Sequence, residues 1–481
     1  MLSAFLRLAK SAKKAHDVSS ISRWESIFIT MQKLKNPPRF TRNMLLKLLV
    51  PLMIEQLLEV TVGMADTMMV ARVGEAAVSG ISVVDQINIL LIQVLAALAT
   101  GGAVVASQYL GRGDKKSACV AAKQLLYTTL AVACVLALAV LFCNKYLLSL
   151  IFGHVEPAVM EAAETYFWLS AVSYPFLALY NAGAALFRSM GNSKISLFAS
   201  FWMNVINIGG NAILIFGFGW GVMGAALATL ASRAFAGVFV IVLLHNRNNA
   251  IYLERIWHPV FHKKMLLNIL RIGVPSGIEN GMFQFGKLLV AGLIASFGTT
   301  ALAANAVCNG LGSLTNMPGA AIGLGMITVI GQCVGGRDFE QARYYARKLI
   351  IVSYCVMGVL NFAMFFGAPQ LVSIYCLSAE TAELSVTVLR YYAVMCMISW
   401  PMSFVLPNVL RAAGDAKFTM TVSMISMWLC RVVLAYVLGA WFGLGLLGVW
   451  IAMTMDWVMR GIAFIFRYRS GKWQQQNIID R

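Results

Sequence analysis

Twelve long apolar runs between Leu45 and Phe466 are the feature that most constrains how this chain folds. An apolar run of about 20 residues is needed to cross the roughly 30 Å of hydrocarbon in a bilayer. The runs are also too long and too uniformly apolar for the strands of a membrane barrel. We therefore predict an all-α integral membrane protein with twelve transmembrane helices. The predicted spans are residues 45–71, 78–106, 120–142, 160–187, 195–217, 220–244, 266–297, 302–330, 345–367, 384–409, 418–440 and 443–466.

The distribution of Lys and Arg accounts for the formal net charge of +18, which could otherwise indicate a nucleic-acid-binding protein. Only 12% of the residues are charged, against about 25% in soluble domains, and the basic ones concentrate in loops that join even-numbered spans to odd-numbered ones. Cytoplasmic loops are enriched in Lys and Arg. We therefore predict a multi-pass protein of the cell membrane, with both termini in the cytoplasm, lipid neighbours and no nucleic-acid partner.

The first 43 residues contain no apolar run long enough to cross a membrane. Apolar residues recur at helical spacing, including Leu2, Phe5 and Leu6, and alternate with basic residues such as Arg7 and Lys10. A helix with this pattern has one apolar and one basic side, which indicates a basic amphipathic arm at the membrane surface. A cleaved signal peptide is the alternative. The nine cysteines have neither paired nor metal-ligand spacing, so no disulfide, structural metal or cofactor is predicted.

An internal repeat at an offset of 224 residues covers most of the chain. Pro51 and Glu55 match Pro275 and Glu279, and SQYLGRGDKKSA matches GQCVGGRDFEQA. Each repeat contains an even number of helices, so the two are related by an axis along the membrane normal. We predict two pseudo-symmetric six-helix lobes around a central cleft. The predicted division is a cytoplasmic arm (1–43), an N-lobe (44–245), a cytoplasmic linker (246–265), a C-lobe (266–467) and a cytoplasmic tail (468–481).

Gly219, Gly221 and Gly224 spell Gly-x-Gly-x-x-Gly, the spacing of a dinucleotide-binding loop. That motif has this meaning only after a strand and before a helix. Here it lies between two predicted membrane helices, and the repeat places glycines at 443, 445 and 448 in the same way. We interpret both as tight turns. No nucleotide-binding motif remains, so direct use of ATP is not expected.

Three carboxylates, Glu55, Glu59 and Asp66, lie within about 40° of one another around the first helix. A charge at mid-membrane costs about 2.5–3.5 kcal/mol or more, so such residues face a protein interior or a watery cavity. Clustering and desolvation favour the neutral acid, which indicates groups that take up and release protons. The alternative is that each acid is held in an ion pair. For Glu59, Asp85 and Asp456 the two interpretations have equal weight, with Arg233, Lys287 and Arg431 as available partners.

Acids outnumber bases in the predicted spans. The spans contain six acids, at 55, 59, 66, 85, 279 and 456, but only three clearly intramembrane bases, at 233, 287 and 431. An excess of negative charge in a cleft favours cationic cargo, whereas a carrier of anionic lipid-linked sugars is expected to use Lys and Arg. Soft, polarizable side chains suit hydrophobic cations. The candidates for lining the cleft are Met53, Met64, Met282, Phe283, Phe285 and Lys287.

Together these motifs resemble the multidrug and toxic compound extrusion (MATE) family from about Leu45 to Phe466. The resemblance lies in Pro51 and the Asp66-Thr67 pair of the first span, SQYLGRGD at the end of the second, FRSMGNSK after the fourth and IFGFGWGVMGAALAT across the 5–6 turn. It implies a secondary antiporter that exports amphipathic organic cations in exchange for H⁺ or Na⁺ by alternating access.

The resemblance also implies where the coupling ion binds. The family's aspartate in the first helix falls on Asp66, and its Asn-x-x-x-Asp pattern falls on Asn207 and Asn211, where asparagine replaces aspartate. Since Asn211 cannot titrate, Glu55 or Glu59 would substitute for it. The implied ion and substrate site is Glu55, Glu59, Asp66, Asn207, Asn211 and Glu279, with transient Na⁺ near Asp66, Asn207 and Asn211.

The resemblance does not transfer completely to the second half of the chain. In one branch of the family a glutamate in the seventh helix carries the coupling ion, and that position falls on Phe283 here, with Glu279 one turn earlier. The C-lobe site of that branch is therefore not carried over.

Three other functions compete with export of cations. A flippase for lipids or lipid-linked polysaccharides belongs to the same superfamily and would share the fold. A membrane-embedded enzyme needs nucleophiles or metal ligands at depth, and a channel needs a filter or pore-lining rings; neither is evident, so no enzyme activity is predicted. A monomer suffices for a carrier with two lobes.

Overall fold

The computed structural model describes residues 37–153, 156–254, 261–476 and 478–479. Within these ranges the chain is helical and contains no strand. The twelve long helices are α1 (Arg42–Val70), α2 (Glu75–Arg112), α3 (Lys115–Phe152), α4 (Pro157–Ser189), α5 (Ser193–Gly217), α6 (Gly221–Leu244), α7 (Lys263–Ala295), α8 (Thr299–Gly335), α9 (Phe339–Ser373), α10 (Ala379–Ala413), α11 (Ala416–Trp441) and α12 (Gly445–Arg469).

Each predicted span coincides with one helix, which confirms the twelve-helix fold. Among the described residues, nine of the twelve helices are long and apolar enough to cross a membrane by composition alone. Of the other three, α1 and α7 carry several charged residues along their length, and α4 contains many tyrosines and serines. The charges inside α1 and α7 therefore need partners within the protein.

An aspartate caps the N-terminus of each helix that follows one of the two matching motifs. The Asp114 carboxylate accepts a hydrogen bond from the Ser117 amide at 3.0 Å, and Asp338 accepts one from the Gln341 amide at 3.0 Å. These caps satisfy free N–H groups at the starts of α3 and α9. The hydrogen bonds from Ser117 hold the pKa of Asp114 below its ordinary value.

Each lobe has its own apolar core, but the first helix of each repeat also packs into the other lobe. Leu48 and Leu52 of α1 belong to the core built mainly from α8–α12. Ile269 and Ile272 of α7 belong to the core built from α2–α6. All four are at most 1% exposed. The starts of α1 and α7 therefore join the two lobes.

The matching motifs at the ends of α2 and α8 form a crossing between the lobes. A Cβ atom at Gly111 would overlap the carbonyl oxygen of Gln332, and one at Gly335 would overlap that of Gln108. The two glutamines also hold the opposite lobe: Gln108 donates to the Ala412 carbonyl, and Gln332 to the Ser189 carbonyl, each at 2.8 Å. The lobes are therefore closed against each other at the end that carries the basic loops.

The segments outside the lobes are partly described. Ile251 and Leu253 of the linker are buried in the N-lobe core. In the tail, Trp473 is fully buried and stacks on Tyr468, with ring centroids 5.6 Å apart. The predicted amphipathic arm falls mainly on residues 1–36, which lie outside the described residues.

We expect Gly335→Ala to prevent closure of the basic-loop end, because the added methyl group meets backbone atoms that cannot rotate away. Spin labels at the exposed residues Lys115 and Arg343 measure the separation of the lobes at this end. The distance should increase in Gly335→Ala. Gly358→Ala is the control, since nothing lies within 4 Å of a Cβ at that mid-helix position. An unchanged distance in Gly335→Ala would contradict the crossing.

Candidate functional site

The six intramembrane acids divide into two groups by their partners. Within the described residues, Glu55, Glu279 and Asp456 form ion pairs with arginines, whereas Glu59, Asp66 and Asp85 form none. The three without an ion pair all lie on α1 and α2. This division separates acids that hold the structure together from acids whose charge is available to an ion.

Glu55 lies in a buried cluster inside the N-lobe. Its carboxylate is 3.5 Å from the Arg188 guanidinium and accepts hydrogen bonds from Ser196 at 2.7 Å and Tyr180 at 3.3 Å. The residue is only 7% exposed. Arginine and hydroxyl groups are strong donors to a carboxylate, so Glu55 is fixed by partners inside the N-lobe.

Glu279 has the same kind of environment in the C-lobe. Its carboxylate is 2.7 Å from the Arg411 guanidinium and accepts a hydrogen bond from Ser423 at 2.6 Å. The repeat thus places an acid of the first helix against an arginine near the end of the fourth helix in both lobes. A pairing present in both lobes indicates a structural role for these two predicted site residues.

Asp456 is paired with two arginines, and this corrects the count of three intramembrane bases. The fully buried carboxylate is 2.9 Å from Arg460 and 3.9 Å from Arg431, and accepts a hydrogen bond from Ser426. Arg460 lies inside the predicted span 443–466, and the count omitted it. Arg188 and Arg411 were omitted because α4 and α10 extend past the ends of the predicted spans. The interior therefore has no overall excess of acids.

Asp66 contacts an amide instead of a base. The side chain of Asn211, which is fully buried, donates a hydrogen bond to the Asp66 carboxylate. The Asn211 Oδ1 atom is buried and has no hydrogen-bond partner among the described residues. Asn207 lies one turn away and donates to the Thr229 hydroxyl at 3.2 Å. The structure thus brings Asp66 and Asn211 together, with Asn207 bound to α6.

A second acid, Asp85, approaches the same region from α2. Asn88 donates to Asp85 at 3.4 Å and accepts a hydrogen bond from the Tyr174 hydroxyl at 2.6 Å. Arg233 donates a hydrogen bond to the Ser173 hydroxyl at 2.7 Å and interacts electrostatically with both Asp66 and Asp85. Sequence reasoning did not identify Asn88 or Tyr174, although an asparagine within an apolar run was a usable signal.

The carboxylate stripe on α1 is not a single cluster. At about 1.5 Å per residue, Glu55 and Asp66 are roughly 16 Å apart along the helix axis. Glu59 is exposed and accepts a hydrogen bond from Gln56 at 3.0 Å. One ion therefore cannot bind Glu55 and Asp66 together.

The C-lobe contains a cavity of about 430 Å³ beside α7. Three of the predicted cleft residues, Met282, Phe283 and Lys287, line it, together with Arg411 and Arg460. Gln93 of α2 reaches the cavity from the N-lobe and accepts a hydrogen bond from Asn280 at 3.2 Å.

The other predicted lining residues lie elsewhere or are not described. Met53 packs against the C-lobe core. Phe285 is half exposed and contacts Trp428, with ring centroids 6.1 Å apart. The side chain of Met64 lies outside what the structure describes.

No group that could hold a structural metal is formed by the described residues. Nowhere among them do three His, Cys, Asp or Glu side chains converge. All nine cysteines are free thiols.

We expect the loss of one partner of the Glu279–Arg411 pair to destabilise the protein more than the loss of both. Arg411→Met leaves a buried carboxylate unpaired, which we expect to lower the free energy of unfolding by about 3 kcal/mol. The double change Glu279→Gln with Arg411→Met should cost less, because no charge remains unpaired. Thermal unfolding in detergent measures both effects.

An exposed pair provides the control for this cycle. Arg247 and Glu254 are 3.0 Å apart with side chains 79% and 44% exposed, so Arg247→Met should change stability by less than about 1 kcal/mol. A double variant less stable than Arg411→Met alone would disprove the pairing.

Comparison with known proteins gives a consistent result. A family model described as MatE matches residues 51–213 and 275–437. The uncharacterized transporter YisQ of Bacillus subtilis (strain 168) is 30% identical over 435 residues, covering 89% of this chain and 94% of that protein. The probable multidrug resistance protein NorM of Thermotoga maritima is 27% identical, covering 92% and 95% of the two chains.

A solved structure has the same fold. The outward-facing conformation of a multidrug resistance MATE family transporter of the MOP superfamily superposes with a TM-score of 0.84 at 20% identity, covering 90% of this chain and 96% of that chain. With both halves matched by the family model, the chain belongs to the MATE family of membrane transporters.

Proposed function

We propose that this protein is a secondary antiporter that exports amphipathic organic cations in exchange for H⁺ or Na⁺. The observation that carries the proposal is Asp66, a partly buried carboxylate that contacts the Asn211 amide and forms no ion pair with a described residue. The name of the Thermotoga maritima relative, a probable multidrug resistance protein, supports the same class of cargo.

Asp66 is better suited to binding a cation than the other predicted acids. The charges of Glu55 and Glu279 are already compensated by Arg188 and Arg411. Among the described residues Asp66 forms no ion pair, and Arg233 acts on its charge at longer range. The Asn211 Oδ1 atom, which has no hydrogen-bond partner within the described chain, is an acceptor beside it and suits Na⁺ or the O–H of a protonated carboxyl group.

Exchange follows from competition for this carboxylate. A proton or Na⁺ at Asp66 neutralises the charge that holds a cationic substrate, and the substrate is released. Neutralisation also lowers the cost of enclosing the carboxylate when the cleft closes. Coupling requires that the ion and the substrate bind the two conformations with different affinities.

The described conformation has a place in this cycle. The crossing of α2 and α8 closes the lobes at the end that carries the basic loops. If those loops are cytoplasmic, as the distribution of Lys and Arg predicts, this conformation is the one that exchanges ions with the outside. Separation of the crossing would then open the cytoplasmic side.

The alternative function is a flippase for lipids or lipid-linked polysaccharides. The observation that favours it is the set of bases beside the C-lobe cavity, Lys287, Arg431 and Arg460, which would suit a phosphate head group. Two of these three share the carboxylate of Asp456. The N-lobe acids have no role in that function, so we favour the antiporter.

We expect Asp66→Asn to abolish gradient-driven ethidium transport in proteoliposomes, because the amide cannot exchange a proton or hold a cation by charge. Wild-type protein is compared under an imposed pH gradient and then a Na⁺ gradient, which identifies the coupling ion. Glu161→Gln is the matched control, since Glu161 is exposed and forms no ion pair within the described chain. Thermal unfolding confirms that each variant is folded.

Two results would count against the antiporter. Ethidium transport that persists in Asp66→Asn would remove Asp66 from the coupling site. No ethidium movement under either gradient in the wild type would favour the flippase, which fluorescent lipid scrambling then tests.

A further inference from the structure

Three cationic side chains surround one phenyl ring in the C-lobe. The distances to the centroid of the Phe283 ring are 4.9 Å for Arg431, 5.3 Å for Lys287 and 5.7 Å for Arg460. Arg460 also lies 4.6 Å from the ring of Phe404. Like charges this close repel one another, and cation–π contact recovers only part of the cost of desolvation.

The carboxylates nearby do not balance these bases. Asp456 is shared by Arg460 and Arg431. Glu279 is already paired with Arg411. Lys287 forms no ion pair in the part of the chain that the structure describes. An excess of positive charge therefore remains around Phe283.

Arg431 shows the imbalance most directly. It is only 8% exposed, its one carboxylate contact is 3.9 Å long, and it makes no hydrogen bond to a described residue. Its Nε atom is buried and has no hydrogen-bond partner among the described residues. A buried guanidinium has five N–H donors to satisfy, so Arg431 suits an anionic acceptor.

The bases border two adjoining cavities that have space for such an acceptor. Lys287 lines both the cavity of about 430 Å³ and a second one of about 290 Å³, which Arg431 also lines. Phe283, Phe404 and Met427 supply apolar wall to the larger cavity. Space of this size with a few convergent polar groups is typical of small-molecule sites.

We propose that Lys287, Arg431 and Arg460 form a subsite that binds an anionic group, such as a carboxylate, carried by the transported aromatic molecule. A substrate that also carries a positive charge is a zwitterion, with its cation at the N-lobe acids and its carboxylate at this subsite. The inference rests on the proposed function for the transport cycle but extends it to the class of substrate.

A purely structural role does not explain the arrangement. Compensating the charge of Asp456 needs one arginine, and Arg460 at 2.9 Å already provides it. Arg431 and Lys287 then add desolvated positive charge, which the described carboxylates compensate only through the 3.9 Å contact of Arg431 with Asp456. A carboxylate bound between them would satisfy the N–H groups of Arg431 and neutralise the excess charge.

A matched pair of dyes tests the inference by binding, without transport. Rhodamine 123 is the methyl ester of rhodamine 110, so the two share one aromatic cation and differ in a free carboxylate. Fluorescence anisotropy with purified protein in detergent measures both affinities. We expect the wild type to bind rhodamine 110 about tenfold more tightly than rhodamine 123, a comparison that needs no variant.

Variants of Lys287 then assign the difference to this subsite. Lys287→Gln should weaken rhodamine 110 binding about tenfold and leave rhodamine 123 within about twofold. Lys287→Arg keeps the charge and should restore the preference for the acid. Lys264→Gln, on the same helix at an exposed position, should change neither affinity.

The outcomes separate this inference from the proposed antiport. Equal affinity of the wild type for acid and ester would overturn the anionic subsite, as would an equal loss of both dyes in Lys287→Gln. A preference for the acid that depends on Lys287 supports the subsite, even if ethidium does not move under either ion gradient. In that case only the antiport proposal fails.

Discussion

The constraint on which this structure depends is that a charge inside a membrane protein must be compensated. Glu55, Glu279 and Asp456 are compensated by arginine partners. The Glu55–Arg188 and Glu279–Arg411 pairs join helices within a lobe, while Asp456 pairs with Arg460 of its own helix and with Arg431 of α11. Within the part of the chain that the structure describes, Asp66 has no arginine in an ion pair and Lys287 has no carboxylate. The two lobes thereby acquire opposite polarity: the N-lobe presents negative charge and the C-lobe presents positive charge. Both proposals on function follow from this asymmetry.

The symmetry of the fold supplies the movement that transport requires. The start of α1 packs into the C-lobe and the start of α7 packs into the N-lobe, which holds the lobes together. The crossing of α2 and α8, where glycines allow close contact, closes one end. Because Gly111 and Gly335 allow direct backbone contact, the lobes meet closely at this end, and their separation breaks the two hydrogen bonds from Gln108 and Gln332. An ion at Asp66 can then bias the equilibrium between closed and open ends through modest differences in affinity.

The helices and the repeat could be predicted from the sequence because both depend on local composition. The ion pairs could not be predicted in the same way, since Arg188 and Arg411 lie just past the apolar runs. Their partners are more than 130 residues away along the chain. Omitting Arg460 inside its own span contributed to the predicted excess of acids over bases, whereas the polarity depends on which charges meet in three dimensions. The packing of α1 into the opposite lobe is likewise absent from any local pattern.

The claim tested most directly is that the coupling ion and a cationic substrate compete for Asp66. Ethidium affinity of the purified protein, measured across pH at fixed Na⁺ and across Na⁺ at fixed pH, addresses it. Protonation removes negative charge, so affinity should fall as pH falls if H⁺ is the coupling ion, or as Na⁺ rises if Na⁺ is. The dependence should disappear in Asp66→Asn. Affinity that is independent of both ions in the wild type would contradict the account.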